Sequence, residues 1–196
     1  MFNPDKSITL LELLIAIALL SVIILALSGV DFFSRSHVID SDRRATLQNE
    51  VSRVLEHMSK EIVRAIGNMA IAGQNPIDLT NILGDTAIRI FVDQDQDGQI
   101  SAGDRWIAYR YNAASFQIWY CPQCTDISCT TCIPLWGDTA NVIAHHISLF
   151  NPSVIDNCVE VRITACWNPA AADCGTVNNP HLTMHTHIKM PSVSTN

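Results

Sequence analysis

Apolar residues dominate the chain between residues 8 and 30, where Glu12 is the only acidic side chain. The run is long enough to span a bilayer as a helix. Lys6 precedes it and Asp31 follows it, which favours an N-terminus on the cytoplasmic side. A carboxylate inside such a helix costs at least ~2.5 kcal/mol on insertion scales, so it is by default a functional group that awaits a partner. For Glu12 we expect that partner to be an amine.

A pattern with the period of an amphipathic helix follows the apolar run. No Gly or Pro occurs between residues 41 and 66. We expect this helix to end at Gly67, because glycine readily adopts the left-handed conformation of a helix C-cap. The apolar positions that recur at helical spacing are Leu47, Val51, Val54, Leu55, Met58, Ile62 and Ile66.

Beyond residue 68 the period changes from helical to alternating, which indicates β-strands. The pattern predicts strands over 87–92, 106–111, 115–120, 141–150, 158–166 and 181–190, and an irregular connector over 69–85. In the strand over 158–166, for example, Val159, Val161 and Ile163 alternate with polar residues. The predicted fold class is therefore α+β, with a long N-terminal helix whose amphipathic half packs on an antiparallel sheet.

Length and charge limit the choice of function. The 196 residues suit one helical anchor and one globular domain of modest size. The net charge is −7 and the longest basic cluster is Arg43-Arg44, so nucleic-acid binding is not indicated. Neither a Ser-His-Asp arrangement nor a glycine-rich phosphate loop is visible, and we expect no enzymatic activity.

A short acidic segment lies between the first two predicted strands. It has Asp at loop positions one, three and five, Gly at six and an acid at twelve, which is the ligand spacing of an EF-hand calcium loop. Strands flank it here instead of helices. A solvated acidic turn is the alternative, but the carboxylates would repel one another without a counter-ion. The expected calcium ligands are Asp93, Asp95, Asp97, Gln99 through its carbonyl, and Asp104, with a structural role for the ion.

Seven cysteines follow the predicted anchor, on the side that we expect to be periplasmic. Oxidising surroundings favour disulfides, although two Cys-x-x-Cys pairs can also wrap zinc or act in redox chemistry. The odd number leaves one thiol free or bonded to another chain. The disulfide candidates are Cys121, Cys124, Cys129, Cys132, Cys158, Cys166 and Cys174.

Three histidines, His181, His185 and His187, alternate with other residues on the last predicted strand. The spacing places them on one face, which is most simply the solvent face. A metal site there would need a further ligand from elsewhere, such as His145 or His146.

The N-terminus resembles that of type IV prepilins and of type II secretion pseudopilins. The resemblance rests on a short polar leader with Lys6, a small residue before the cut, and Glu12 at the fifth position of the helix that begins at Ile8. It implies that a prepilin peptidase cleaves between Ser7 and Ile8, that the new amine is methylated, and that Glu12 pairs with the N-terminal amine of a neighbouring subunit. Ser7 replaces the usual Gly and Ile8 the usual Phe, as in some minor members.

The segment 43–68 also looks like the second helical half of larger minor pilins and of the J-type pseudopilin. The resemblance implies a leader over 1–7, a transmembrane half-helix over 8–30, a periplasmic half-helix over 31–67 and a β-rich head over 68–196. It further implies a minor pilin or pseudopilin in the inner membrane that joins other pilins in a filament tip complex. The alternatives are a plain anchor, a cleaved signal peptide, or a membrane-tethered metal-binding or thiol-redox protein.

Overall fold

A computed structural model describes residues 10–68, 75–101, 103–190 and 192–194. Ser7 and Ile8, the predicted cleavage site, lie outside the described residues. The helix is α1 (Leu10–Val63), and a short 3₁₀ helix spans Thr139–Asn141. The strands are β1 (Ile66–Asn68), β2 (Ile77–Ile82), β3 (Asp85–Val92), β4 (Arg105–Asn112), β5 (Gln117–Cys121), β6 (Val142–Ala144), β7 (Ile147–Ile155), β8 (Cys158–Cys166), β9 (His181–Lys189) and β10 (Ser192–Ser194).

The chain divides into two compact units, Met1–Asp42 and Arg43–Asn196. In the first unit α1 contains an 18-residue window with a mean hydropathy of 3.0, none of it buried within the protein. By length and composition this helix is able to cross a membrane. The hydroxyls of Ser21 and Ser28 donate to the carbonyls of Ala18 and Ile24, so these polar groups are satisfied inside the helix.

In the second unit α1 buries one face, as its period predicted. The buried residues are Leu47, Val51, Val54, Leu55, Met58 and Ile62. The helix ends at Val63, four residues before the predicted C-cap, and Gly67 lies in β1. The prediction was wrong because strand pairing begins at once: Ala65 bridges to Val92, and Ile66 is paired with Ser192 in a parallel ladder.

Two antiparallel sheets make up most of the second unit. One has five strands in the order β2-β3-β4-β5-β6, and the other has three in the order β7-β8-β9. A single core cluster joins the buried face of α1 to residues of both sheets. A second, smaller cluster lies around Ala108 and Cys121 and includes Trp106 and Trp136 at its edge. The α+β prediction is confirmed, with two main sheets instead of one.

The predicted strands differ from the observed ones mainly where polar residues interrupt the alternation. Residues 158–166 form β8 with the predicted bounds, whereas the predicted strand over 141–150 divides into β6 and β7. His146 lies between them with φ +62°. β2 was missed and assigned to an irregular connector, because Asp78, Thr80 and Asn81 obscure a strand that buries only its ends, Ile77 and Ile82.

Candidate functional site

The N-terminal part of α1 presents an apolar surface that is covered by nothing within its own unit. Glu12 is exposed in the first described turn of the helix, among exposed leucines such as Leu11 and Leu13. An apolar surface of this kind is stable in lipid or against other helices, not in water.

The acidic loop between β3 and β4 gathers three of its four predicted carboxylates. One oxygen from each of Asp93, Asp95 and Asp97 lies within 4.8 Å of the others. Asp93 is buried, and its carboxylate accepts hydrogen bonds from the N–H groups of Gln96 at 2.6 Å and Gly98 at 2.9 Å. The loop turns sharply at Gly98, whose φ of +75° suits glycine.

Asp104 closes the loop by bonding to its backbone. Its two carboxylate oxygens accept from the N–H groups of Gln94 at 2.9 Å and Ser101 at 2.6 Å. Asp104 does not belong to the converging group, which Asp93, Asp95 and Asp97 form alone among the described residues. Gln99 donates its N–H to Asp97, at 2.7 Å.

Burial and hydrogen bonding act in opposite directions on these carboxyl groups. Burial acts to raise the pKa of Asp93, but the N–H groups of Gly98 and Gln96 outweigh it, and the pKa lies below its ordinary value. The pKa of Asp95 is raised by burial, against a hydrogen bond from the Asp97 N–H, and the nearby charge of Asp97 adds to the rise. The loop therefore holds crowded negative charge that a cation would relieve.

The acidic loop is tied directly to the end of α1. The N–H of Asp93 donates to the carbonyl of Arg64 at 3.0 Å, and the Arg64 guanidinium donates to the carbonyl of Asp93 at 3.3 Å. Val63, Arg64, Asp93, Gln96 and Gly98 line an open cleft at this junction. The first carboxylate of the loop is thus positioned by the helix as well as by the strands.

Six of the seven cysteines form disulfides, so the disulfide prediction is confirmed. The bonds are Cys121–Cys132, Cys124–Cys129 and Cys166–Cys174. Cys158 is the free cysteine and is half-buried. Because the two Cys-x-x-Cys units bond to each other, their four sulfurs are not available as thiolates for zinc.

A comparison with models of protein families matches the N-terminal part of the chain, which includes the apolar start of α1. The model described as the prokaryotic N-terminal methylation motif matches residues 3–28, the segment that contains Ser7, Ile8 and Glu12. This motif is the type IV pilin signal, and it supports a type IV pilin-like or pseudopilin-like protein in general. No curated protein and no solved structure matches it.

The motif has general implications for how the chain is processed and where it lies. It implies processing by a prepilin peptidase, assembly with other pilins and anchoring in a membrane through the apolar helix. Type IV pilin-like proteins are structural rather than enzymatic. The observed fold, a long helix packed against antiparallel sheets, agrees with the motif.

The nested disulfides of the head hold a loop over the outer face of the five-stranded sheet. The carboxylate of Asp126 accepts from Ser128, Thr130 and the N–H of Thr131, and these bonds lower the pKa of Asp126 to about 2, with the Ser128 bond contributing most. The Trp136 indole donates to the carbonyl of Cys129 at 2.9 Å. The loop is therefore preorganised, with Ile127 exposed at 70%.

Sequence reasoning missed two buried polar residues that organise the head. The Arg110 guanidinium lies between the rings of Trp119 and Trp136, at 5.2 and 4.9 Å from their centroids, with Asp85 at 3.5 Å. Asn179 bonds through its amide to both the N–H and the carbonyl of Asn168 and so shapes the loop closed by Cys166–Cys174. Neither residue carries a local motif, so only its neighbours in space identify it.

The histidines of the last long strand lie where their spacing placed them. His181, His185 and His187 are all exposed on one face of β9. The two histidines suggested as further ligands have other neighbours: the His145 ring bonds to Gln117 at 3.0 Å, and His146 stacks on Trp167 with centroids 5.2 Å apart.

Proposed function

We propose that the protein is a minor pilin or pseudopilin that helps to initiate or cap the assembly of a type IV pilus or secretion pseudopilus. The observation that carries this proposal is the methylation motif over residues 3–28, joined to a separate head with two sheets. The minor role is supported by the departures at Ser7 and Ile8 and by the likeness of residues 43–68 to larger minor pilins.

Assembly is the mechanism in this proposal. The peptidase removes residues 1–7 on the cytoplasmic face, and the apolar part of α1 then leaves the bilayer to pack among the helices of other subunits. Glu12 pairs with the amine at Ile8 of a neighbour. The pair sets the axial register, because a carboxylate left without its cation in an apolar surrounding is strongly unfavourable.

The experiment is mass spectrometry of the protein from native membranes and from sheared filaments. We expect a mature N-terminus at methylated Ile8, and an amount in filaments far below that of the most abundant pilin. A Ser7→Asp variant should remain unprocessed, because the peptidase needs a small residue before the cut, whereas Asp5→Asn should be processed as usual.

Two results would contradict the proposal in different ways. An intact Met1 in the native protein would exclude processing and favour a plain membrane-tethered protein. If the processed chain were as abundant in filaments as the most abundant subunit, the protein would still be a pilin, but the minor role would be excluded.

We also propose that the acidic loop binds calcium as a structural ion. Asp93, Asp95 and Asp97 would supply carboxylate oxygens and Gln99 its carbonyl, which are the ligands that this hard cation prefers. Asp104 contributes by holding the loop closed through the backbone of Gln94 and Ser101. The ion would offset the repulsion among the carboxylates and stabilise the junction of the loop with Arg64.

Thermal unfolding of the full chain in detergent micelles tests the calcium proposal. After bound metal has been removed with a chelator, added calcium should raise the midpoint temperature of unfolding, because a ligand that binds only the folded state stabilises it by mass action. Asp95→Asn should abolish that rise, and Asp156→Asn, the same change at an exposed site outside the loop, should retain it. Equal curves for the native chain with and without millimolar calcium would show that the loop is a solvated turn.

A further inference from the structure

Three side chains of types that can bind a metal ion lie near one another on the solvent face of the three-stranded sheet. His185 and His187 are two residues apart on β9, and their rings meet edge to face with centroids 5.9 Å apart. Glu160 of β8 is the register partner of His187. Its Oε1 lies 4.0 Å from Nε2 of His187.

The sheet holds these three positions at separations that suit one ion. Residues i and i+2 of a strand project from the same face about 7 Å apart, and directly opposed residues of neighbouring strands have Cβ atoms about 5 Å apart. Two imidazoles and one carboxylate on such a triangle are long enough to meet above the sheet. To bind one ion, the three side chains would converge by rotation about their own χ angles, which their access to solvent leaves open.

We propose that His185, His187 and Glu160 form a surface site for a divalent transition-metal ion that favours imidazole ligands, such as zinc, nickel or copper. Two neutral imidazoles and a carboxylate are a common ligand set for these ions, with water at the remaining position. The site differs in kind from the acidic loop, whose ligands are all oxygens and therefore suit calcium. The proposal does not depend on the role of the chain in filament assembly.

Two basic side chains modulate this site. Arg162 is the register partner of His185, and its Nη2 lies 4.0 Å from Oε1 of Glu160. Lys189 follows His187 by two residues on the same strand. The positive charges of both side chains disfavour the binding of a cation. The Arg162 side chain is 54% exposed, however, and can turn into solvent when Glu160 binds the metal. Protons compete as well, because metal binding requires the imidazoles to be neutral.

Isothermal titration of zinc into the full chain in detergent micelles tests the site. The protein for this experiment has no histidine tag, and its free thiol is removed by a Cys158→Ser substitution. Calcium is present in the buffer to occupy the acidic loop. We expect about one equivalent of zinc to bind, as for a single three-ligand site. Binding should be lost in His187→Ala and in His185→Ala, and weakened about tenfold or more in Glu160→Gln.

His181→Ala is the matched control. His181 lies on the same strand and the same exposed face, but its register partner is Cys166 and no carboxylate lies opposite it. We expect this variant to bind zinc like the parent. The proposal would be overturned by a parent that binds no zinc, by full binding in His187→Ala, or by equal loss of binding in His181→Ala. Unchanged melting curves of the variants will show that any loss of binding is local.

Discussion

His57 shows how one half-buried side chain makes the stability of the head depend on pH. Its Nδ1 lies 2.8 Å from the Tyr109 hydroxyl, and its ring meets Tyr120 edge to face, with centroids 4.6 Å apart. Burial lowers the pKa of His57, Glu61 acts to raise it, and Lys60 adds to the lowering. Burial also raises the pKa of Tyr120 to about 12, so the tyrosine remains neutral.

We predict that the head loses stability in mild acid through His57. The folded pKa lies below the ordinary 6.5, so the unfolded chain binds more protons in this range. The free energy of unfolding therefore falls as the pH drops below about 6.5 and continues to fall through the folded pKa. We expect the free energy of unfolding, measured by denaturant titration between pH 5 and 8, to decrease less on acidification for His57→Gln than for the parent.

Exposed His181 provides the control for that experiment. His181→Gln should keep the pH dependence of the parent, because its side chain lies on the solvent face of β9. Identical curves for the parent and His57→Gln would show that protonation of His57 is not linked to unfolding.

Among the elements, the disulfide-closed loops fasten long irregular segments to the sheets. The Cys121–Cys132 and Cys124–Cys129 bridges enclose one hairpin loop, and Cys166–Cys174 closes the loop between β8 and β9. These segments bury few apolar side chains of their own: Ile127 inside the first loop is exposed, and so are Ile133 and Leu135 just after Cys132 and Val177 just after Cys174. Covalent bonds therefore replace packing as the source of their order.

We predict that unreduced protein from native membranes reacts with an alkylating reagent at one cysteine, Cys158. After reduction under denaturing conditions all seven should react, and Cys158→Ser should show no reaction before reduction. Opening a native disulfide should lower the free energy of unfolding by about 2 to 5 kcal/mol. Intact mass and peptide mapping count and locate the modified cysteines, and three or more reactive thiols before reduction would contradict these pairings.

For the whole molecule, insertion and assembly are separable functions in our proposal, because they depend on different properties of the apolar part of α1. The apolar part of α1 lies in the first unit, and the core of the head lies in the second. Insertion depends on the apolar character of the helix, whereas assembly in our proposal also depends on the charge of Glu12.

We predict that Glu12→Leu inserts into the membrane as well as the parent or better, because the segment becomes more apolar. Its incorporation into filaments should fall sharply, because the amine of the neighbouring subunit loses its counter-charge. Membrane fractionation and immunoblots of sheared filaments measure the two effects. Ser21→Leu is the control, since it raises the apolar character of the same segment but leaves the carboxylate, and equal incorporation of both variants would refute the pairing.

The sequence alone determined the features that depend on neighbours along the chain. Apolar periodicity located α1 and its buried face, and alternation located β8 with its bounds, because side-chain direction repeats every 3.6 residues in a helix and every 2 in a strand. Local spacing likewise singled out Glu12 and the carboxylates from Asp93 to Asp97. Each of these signals comes from residues that lie close to one another along the chain.

Only the tertiary structure decided the features in which distant residues meet. The end of α1 at Val63 follows from the pairing of Ala65 with Val92 and of β1 with β10. The place of Glu160 beside His187 follows from strand register, and the burial of Arg110 between two indoles follows from the packing of a loop on the sheet. Register and packing are set by the fit of whole faces, so they leave no mark in the spacing of any one segment.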